Sequence, residues 1–337
     1  MPGWKEWKFR ALTDIWTGDA NRSADRLIPT GIMGSLRWWF EVLVRGLNGK
    51  ACDPTAREVR CPQDTRKKPT DPCHHCVVCE LFGCTGWARK FRLMILDDEG
   101  DIIRRQIKAD QTFTLRFIPL RRISPEEWCL LDATLRLIAD YGAIGGKTVF
   151  KPSDEQGREN VFHHRDFGLI KYVGKPEGWE CNKTLDELRA YITDTFRWRI
   201  DIPYQYRENG RRYDYSWASL QNFWCVKGRY LARQGSKHSS FNRIIGRRME
   251  KNRAQQLFQD TSANRWLAGR QQESKKVFSF KNPAYARRTF GFTNPGFVGF
   301  GEIKNRLVAV WQGFNPDDEF KTGEQILNEL IRKVRKS

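Results

Sequence analysis

The sequence predicts an α+β fold in two domains, and three observations carry that prediction. Over the first 175 residues the apolar periodicity switches between two and 3.6 in the order β-α-β-β-α-β. Two capping boxes, Ser124-Pro125-Glu126-Glu127 and Thr184-Leu185-Asp186-Glu187, mark helix starts independently of that periodicity. At 337 residues the chain is long enough to bury two cores of ordinary size. The order β-α-β-β-α-β is that of the ferredoxin-like, split βαβ arrangement, an antiparallel sheet with helices on one face. The RNA-recognition fold shares it.

Taken in order, residues 4–12 alternate loosely and read as the first strand, followed by the turn-rich Asp14-Ile15-Trp16-Thr17-Gly18-Asp19. Residues 27–31, with Pro29, read as a connector. Residues 34–47 read as a helix whose apolar face is Leu36, Trp39 with Phe40, Leu43 and Leu47. Arg37, Glu41 and Arg45 follow one another at i+4 on another face. Residues 91–96 form a strand, Asp97-Asp98-Glu99-Gly100 a turn, and 101–117 the returning strand. The helix that Ser124 opens carries Trp128, Leu131, Leu135 and Ile138 on one face and stops at Gly142. A glycine-rich loop and polar excursion (142–165) precede the closing strand, 167–173.

Residues 174–178 read as a linker, so the domains are 1–175, with a cysteine-rich insertion over 50–85, and 176–337. In the second, a helix from Thr184 carries Leu188, Ile192 and Phe196. Residues 197–288 are basic, glutamine-rich and aromatic, without a clear period over 230–273, a stretch that reads as partly helical insertions. Residues 277–280 and 303–311 read as strands; Ile326, Leu327, Leu330, Ile331 and Val334 form an amphipathic C-terminal helix. The expectation is a second, divergent and heavily decorated copy of the first fold.

Lys and Arg number 59 against 40 Asp and Glu, a formal charge of +19. That excess points to a polyanionic partner, nucleic acid ahead of an acidic membrane. In the second half, basic residues alternate with aromatics and glutamines, a mixture suited to phosphates and base faces together. No apolar run approaches the roughly 18 residues a membrane span needs, and MPGWKEWKFR lacks the apolar core of a signal peptide. A cytoplasmic chain is therefore expected, where disulfides are rare. Six of its nine cysteines fall between Cys52 and Cys84, so they read as metal ligands.

The cysteine loop is the most specific signal. Cys73-x2-Cys76-x2-Cys79 gives two overlapping C-x2-C knuckles, with Cys52 and Cys61 upstream and His74 and His75 close by. Zinc takes four soft ligands in a tetrahedron, and such a knuckle supplies two from one turn. The other two come from Cys52 and Cys61 or from Cys73. All-protein ligation makes this zinc a structural staple. Gly145-Gly146-Lys147-Thr148 resembles a phosphate loop, but Tyr141 stands where that motif needs its first glycine, and the stretch ends a helix instead of opening one. Nucleotide hydrolysis is excluded on that context. Close approach of backbone amides to a phosphate, with Lys147 supplying charge, remains. His163-His164-Arg165-Asp166 and the acidic Asp14, Asp19 and Asp25 are the residues from which RNA cleavage would have to be built, at no telling spacing. Gly291, Gly296, Gly299 and Gly301 form a second glycine-rich turn.

Several of these pieces together resemble one family. Trp16-Thr17-Gly18-Asp19, Gly34-Ser35-Leu36-Arg37-Trp38-Trp39, Cys52-Asp53-Pro54-Thr55, Cys76-x2-Cys79-Glu80-Leu81-Phe82-Gly83, Thr85-Gly86-Trp87 and the 142–147 loop are similar to the RAMP superfamily of CRISPR proteins. Within it they resemble the first subunits of type III-B Cmr effector complexes. The resemblance is dense over residues 10–95, continues to about 173 and thins beyond. It implies two ferredoxin-like domains and a non-catalytic RNA-binding subunit. Such a subunit sits where the complex holds the 3′ region of the guide RNA, touches guide and target RNA, and lies beside other RAMP subunits. Carried over by position, it implies RNA contacts at Arg37, Gly145, Gly146 and Lys147, and zinc at Cys76 and Cys79, with Cys52 and Cys61 completing the set. Residues 148–160 depart from the family's tighter return. Trp16 is a stacking candidate, and Arg37, Arg45, Arg89 and Lys90 are expected to form an RNA-facing edge held by the zinc loop. The competing expectation is a metal-independent RAMP-type endoribonuclease.

Overall fold

The structure, a computed structural model, describes residues 3–18, 25–145, 152–154, 157–158, 161–233, 244–245, 266–267, 276–294 and 296–336. Strand β1 (Lys5–Ala11) buries Trp7, Phe9 and Ala11 and turns Lys8 and Arg10 outward, the alternation of a half-buried strand. Helix α1 runs from Pro29 to Gly46, so it begins five residues before the expected start and absorbs the supposed connector. Pro29 sits in its first turn, where a missing N–H costs no hydrogen bond. From Trp39 to Gly46 every residue is buried. A face carrying Glu41 and Arg45 is therefore enclosed as fully as the apolar one.

After a short helix α2 (Val77–Phe82), strands β2 (Phe91–Leu96) and β3 (Thr112–Pro119) pair antiparallel. The returning strand is shorter than the sequence suggests, because residues 104–107 bond to the segment before α1. Ile15 N–H donates to Ile107 O (2.9 Å), Leu27 N–H to Arg104 O (3.0 Å) and Gln106 N–H to Asp25 O (3.1 Å). Helix α3 (Pro125–Tyr141) has both halves of its capping box and ends at Gly142. Strand β4 (Ile170–Gly174) completes an antiparallel sheet in the order β2-β3-β1-β4.

Helix α4 (Leu185–Ile192) opens on the second capping box. A hairpin, β5 (Gln205–Glu208) with β6 (Arg211–Asp214), precedes β7 (Phe223–Lys227), and β8 (Ala232–Arg233) pairs with β9 (Ile244–Ile245). Then come β10 (Val277–Phe280), β11 (Arg288–Phe292), helix α5 (Phe300–Val310), the one-turn α6 (Pro316–Glu319), β12 (Phe320–Thr322) and helix α7 (Gly323–Lys336). The second sheet has the order β10-β11-β7-β12, all antiparallel. With β7, β10, β11 and β12 taken as its first to fourth strands, this is the strand order of the first sheet. Residues 303–311, expected as a strand, are helical. Ile303, Leu307 and Val310 bury one face at i, i+4, i+7, and the Glu302 carboxylate accepts from Gly299 N–H at the helix start (2.9 Å).

The sheets do not keep separate cores. One cluster of buried side chains runs from Trp7 through Trp39 to Phe290 and Leu330; a smaller one surrounds Trp224, Ile303 and Phe320. Polar ties cross the 175/176 boundary as well. Arg288 Nη1 donates to Ala139 O (2.9 Å), and Arg45 Nη1 to Ala218 O (3.0 Å). The expectation of unpaired cysteines fails at one place. Cys129 on α3 forms a disulfide with Cys181, their Cα atoms 5.2 Å apart, because the chain leading to α4 crosses α3 within bonding range.

Candidate metal centre and nucleic-acid interface

Four cysteines converge below α1. Cys76 is the N-cap of α2 and Cys79 lies three residues on, on the same helix face. The chain leaving α1 brings Cys52, and the loop beyond it brings Cys61. All four are buried, with their Sγ atoms within 4.8 Å of one another; Cys52 and Cys79 are 3.5 Å apart. Cys73 is not among them. Its backbone turns through φ 56° and its thiol donates to Thr195 O (3.3 Å), which settles the geometry in favour of Cys52 and Cys61.

The surroundings fit a zinc tetrathiolate. Arg37 Nη2 donates to Cys79 Sγ (3.2 Å) and reaches Cys52 Sγ (3.8 Å), Arg199 Nη1 reaches Cys61 Sγ (3.8 Å), and Cys76 N–H points at Cys61 Sγ (3.4 Å). Four thiolates with a divalent ion carry a charge of −2, and the two guanidiniums balance it, as a buried charge requires. Burial opposes ionisation of Cys76, but side-chain hydrogen bonds from Cys52, Cys61 and Cys79 outweigh it and hold that thiol well below the ordinary cysteine range. Closed ligation of this kind staples a loop.

The cations expected on the RNA-facing edge are mostly interior. Arg37 is spent on Glu41, Gly83 O and the thiols, with 15% of its side chain exposed. Arg45 is buried against Glu41, Ala51 O and Ala218 O. Lys90 is buried between Glu80 (2.6 Å) and Glu127 (2.8 Å). The cysteine insertion folds over α1 and closes off this face, so of the four only Arg89 is exposed.

A different edge gathers the rest of the predicted site. Gly145 has φ 115°, and a Cβ there would lie 2.6 Å from Trp16 O, so glycine is required on both counts. Its N–H donates to Ser35 Oγ in α1 (3.2 Å). Trp16 is half-buried, edge-on to Phe162. Trp16, Ser35 and Gly145 thus meet near the start of α1, while Gly146 and Lys147 lie outside the described residues. Thr17 Oγ1 bonds to Arg26 O and Ile28 N–H, and Arg26 pairs with Arg105, which brings exposed Arg26, Arg104 and Arg105 to this edge. Reading 101–117 as a strand obscured them; the dibasic Arg104-Arg105 pair was the available signal.

The residues from which cleavage chemistry would be built meet at a cleft of about 450 Å³ between the two sheets. Asp14, His164, Arg165, Asp166 and Lys281 line it. His163 and His164 lie on a single 3-10 turn, the first exposed and the second buried. Asp14 and Asp166 each hold backbone. Asp14 accepts from Ala109 N–H (2.9 Å), and Asp166 from Lys281 N–H (2.9 Å) and Asn282 N–H (2.8 Å). Asp25 is exposed and Asp19 lies outside the described residues.

Burial raises the Asp166 carboxyl to about 6, against the pull of those two amides. A carboxyl raised above its unfolded value of 3.8 favours the folded state at low pH, and that benefit is lost as pH rises through about 6. Asp166→Asn is therefore expected to stabilise the protein relative to wild type at pH 7.5, with the advantage vanishing toward pH 4. Urea midpoints of both proteins across that range test it, and a difference independent of pH would refute it.

Residues 8–150 match the model of the RAMP superfamily. Solved structures similar to the chain include three at low identity. One is the crystal structure of Cmr1 from Pyrococcus furiosus in its apo form, 10% identical, covering 98% of this chain and 96% of that one, with a TM-score of 0.38. The others are chains of type III-B Cmr-beta complexes seen by cryo-electron microscopy. One was bound to cognate target RNA (10% identical, TM-score 0.42, covering 97% of this chain and 99% of that one). The other was bound to cognate target RNA and AMPPnP in the presence of single-stranded DNA (10% identical, TM-score 0.40, covering 99% and 100%). No curated protein matches the chain significantly. Among the described residues, no helix is long and apolar enough to cross a membrane.

Proposed function

We propose that this chain is a non-catalytic RNA-binding subunit of a type III-B CRISPR interference complex. In this reading it lies at the end holding the 3′ region of the guide RNA, beside other RAMP subunits, and contacts guide and target RNA. The RAMP match over residues 8–150 carries the reading. Its motif pattern and the charge of +19 support it. Both sheets are read as ferredoxin-like domains, supported by their common strand order, and the four-cysteine centre as a structural zinc site.

RNA is placed on the edge formed by Trp16, Gly145 and the exposed Arg26, Arg104 and Arg105. Trp16 offers a ring to a base, a contact worth about 1–3 kcal/mol. The arginines release counterions from phosphate, at roughly 0.7 log units of affinity per log unit of salt for each contact on single strands. Reversing Arg104 and Arg105 together to glutamate should weaken guide-RNA binding and flatten the salt slope by about 1.4. Filter binding at several salt concentrations measures both, and an unchanged slope removes this edge from the interface.

The runner-up is a metal-independent endoribonuclease, favoured by one observation: His164, Asp14 and Asp166 line one cleft. Labelled guide or target RNA incubated with the chain in chelator distinguishes the two. Cleavage that disappears on His164→Ala would support the enzyme, and intact RNA supports the binding subunit.

A further inference from the structure

Beside the four-cysteine centre lies a second group of metal-binding side chains that shares no ligand with it. His74, His75 and Cys84 bring their ligand atoms within 4.8 Å of one another. Both histidines are buried, 3% and 6% exposed. Their two Nδ1 atoms face each other at 2.9 Å.

Hydrogen bonding decides what those nitrogens present. His75 Nε2 lies 2.7 Å from Glu80 Oε2, and the other Glu80 oxygen pairs with Lys90 at 2.6 Å. A carboxylate held ionised by that ammonium accepts a proton, so His75 carries its hydrogen on Nε2 and aims a lone pair from Nδ1. A carboxylate holding the far ring nitrogen of a histidine is the usual support behind a metal ligand, because it fixes the tautomer and makes the near nitrogen more basic. Trp87 stacks on the His75 ring, centroids 4.9 Å apart, and holds its plane. Cys84 is fixed by paired backbone bonds with Trp87 (2.9 and 3.0 Å).

A lone pair on His75 Nδ1 that faces His74 Nδ1 at 2.9 Å needs a proton on His74 Nδ1 or a cation between the two nitrogens. A divalent ion fits when the nitrogens part to about 3.4 Å, the edge of a tetrahedron with bonds of about 2.0–2.1 Å. A donor set of two imidazoles and one thiolate suits zinc among the abundant divalent ions. A cavity of about 240 Å³ reaches His74 and has Asp64, Lys67 and Arg199 in its polar wall, which gives solvent a way to the fourth position.

We infer that His74 Nδ1, His75 Nδ1 and Cys84 Sγ form a second zinc site, separate from the Cys52–Cys61–Cys76–Cys79 centre, with water as the fourth ligand. The site is more open than the tetrathiolate and exchanges its ion more readily.

Native mass spectrometry of the full chain with zinc alone tests this. Wild type should carry two zinc ions, and Cys84→Ala and His74→Gln one each. Cobalt titration of wild type gives a readout that needs no variant. The first equivalent should show the strong charge-transfer absorption of four thiolates, and the second a weaker one from a single thiolate. One ion per wild-type chain, insensitive to Cys84→Ala and His74→Gln, would overturn the second site while leaving the tetrathiolate in place. One ion lost in those variants but retained in Cys76→Ser would mean that the tetrathiolate reading fails and this site holds.

Discussion

Serine in place of Cys76 is expected to release the tetrathiolate ion and unfold residues 50–85 while both sheets persist. Cys76 does two things at once: it caps α2 and supplies one of four buried thiols. Structural zinc in small domains supplies on the order of 10 kcal/mol or more, and the short α2 is the only regular helix or strand of this insertion among the described residues. The loss also removes the thiol partners of Arg37 and Arg199, which keep their carboxylates Glu41 and Asp201. The exposed cations Arg57, Arg60, Arg66 and Lys67 would then become trypsin sites. Limited proteolysis with metal analysis checks this: rapid cleavage within 57–68, reproduced in wild type by strong chelation, is the expected result. Wild-type resistance in the variant would show that the thiols need no ion to hold the loop.

Trp39→Ala should destabilise the whole molecule by about 3–5 kcal/mol, the cost of removing a large buried aromatic. Trp39 is 1% exposed, and its Nε1 donates to Ala143 O (2.9 Å). Its ring lies 5.8 Å from both Phe223 of β7 and Phe290 of β11. A helix of the first sheet thus fills the core beneath the second, so the damage should appear in one cooperative urea transition shifted to lower denaturant. Two separated transitions would mean independent domains. Gly142→Ala probes the same contact from the other side, because a Cβ there would meet the Trp39 ring at 2.5 Å and must displace it.

Where a local signal sufficed, sequence and structure agree closely. The capping boxes at Ser124 and Thr184 rest on atoms three residues apart, and both helices begin there. The alternation of β1 and the stop at Gly142 are equally local. The errors came where two readings shared a local pattern. Pro29 suits a connector as well as a first helical turn, and 303–311 holds β-branched residues that also satisfy a helical period. Residues 104–107 look extended, but their partners are 15 and 25–27, not β2.

The sequence by itself determined that this protein is basic, α+β in class and dense in cysteines over one loop, because charge, periodicity and C-x2-C spacing are properties of short segments. Only the tertiary structure decided which residues those properties serve. Cys73 and Cys61 are equivalent on paper, and the turn at φ 56° sends one away from the cluster. Arg45 and Lys90 look like surface cations until Ala218 and Glu127, 173 and 37 residues away, close over them. Burial depends on chain that is distant in sequence, and the exposure of Arg26, Arg104 and Arg105 is likewise a property of the folded chain.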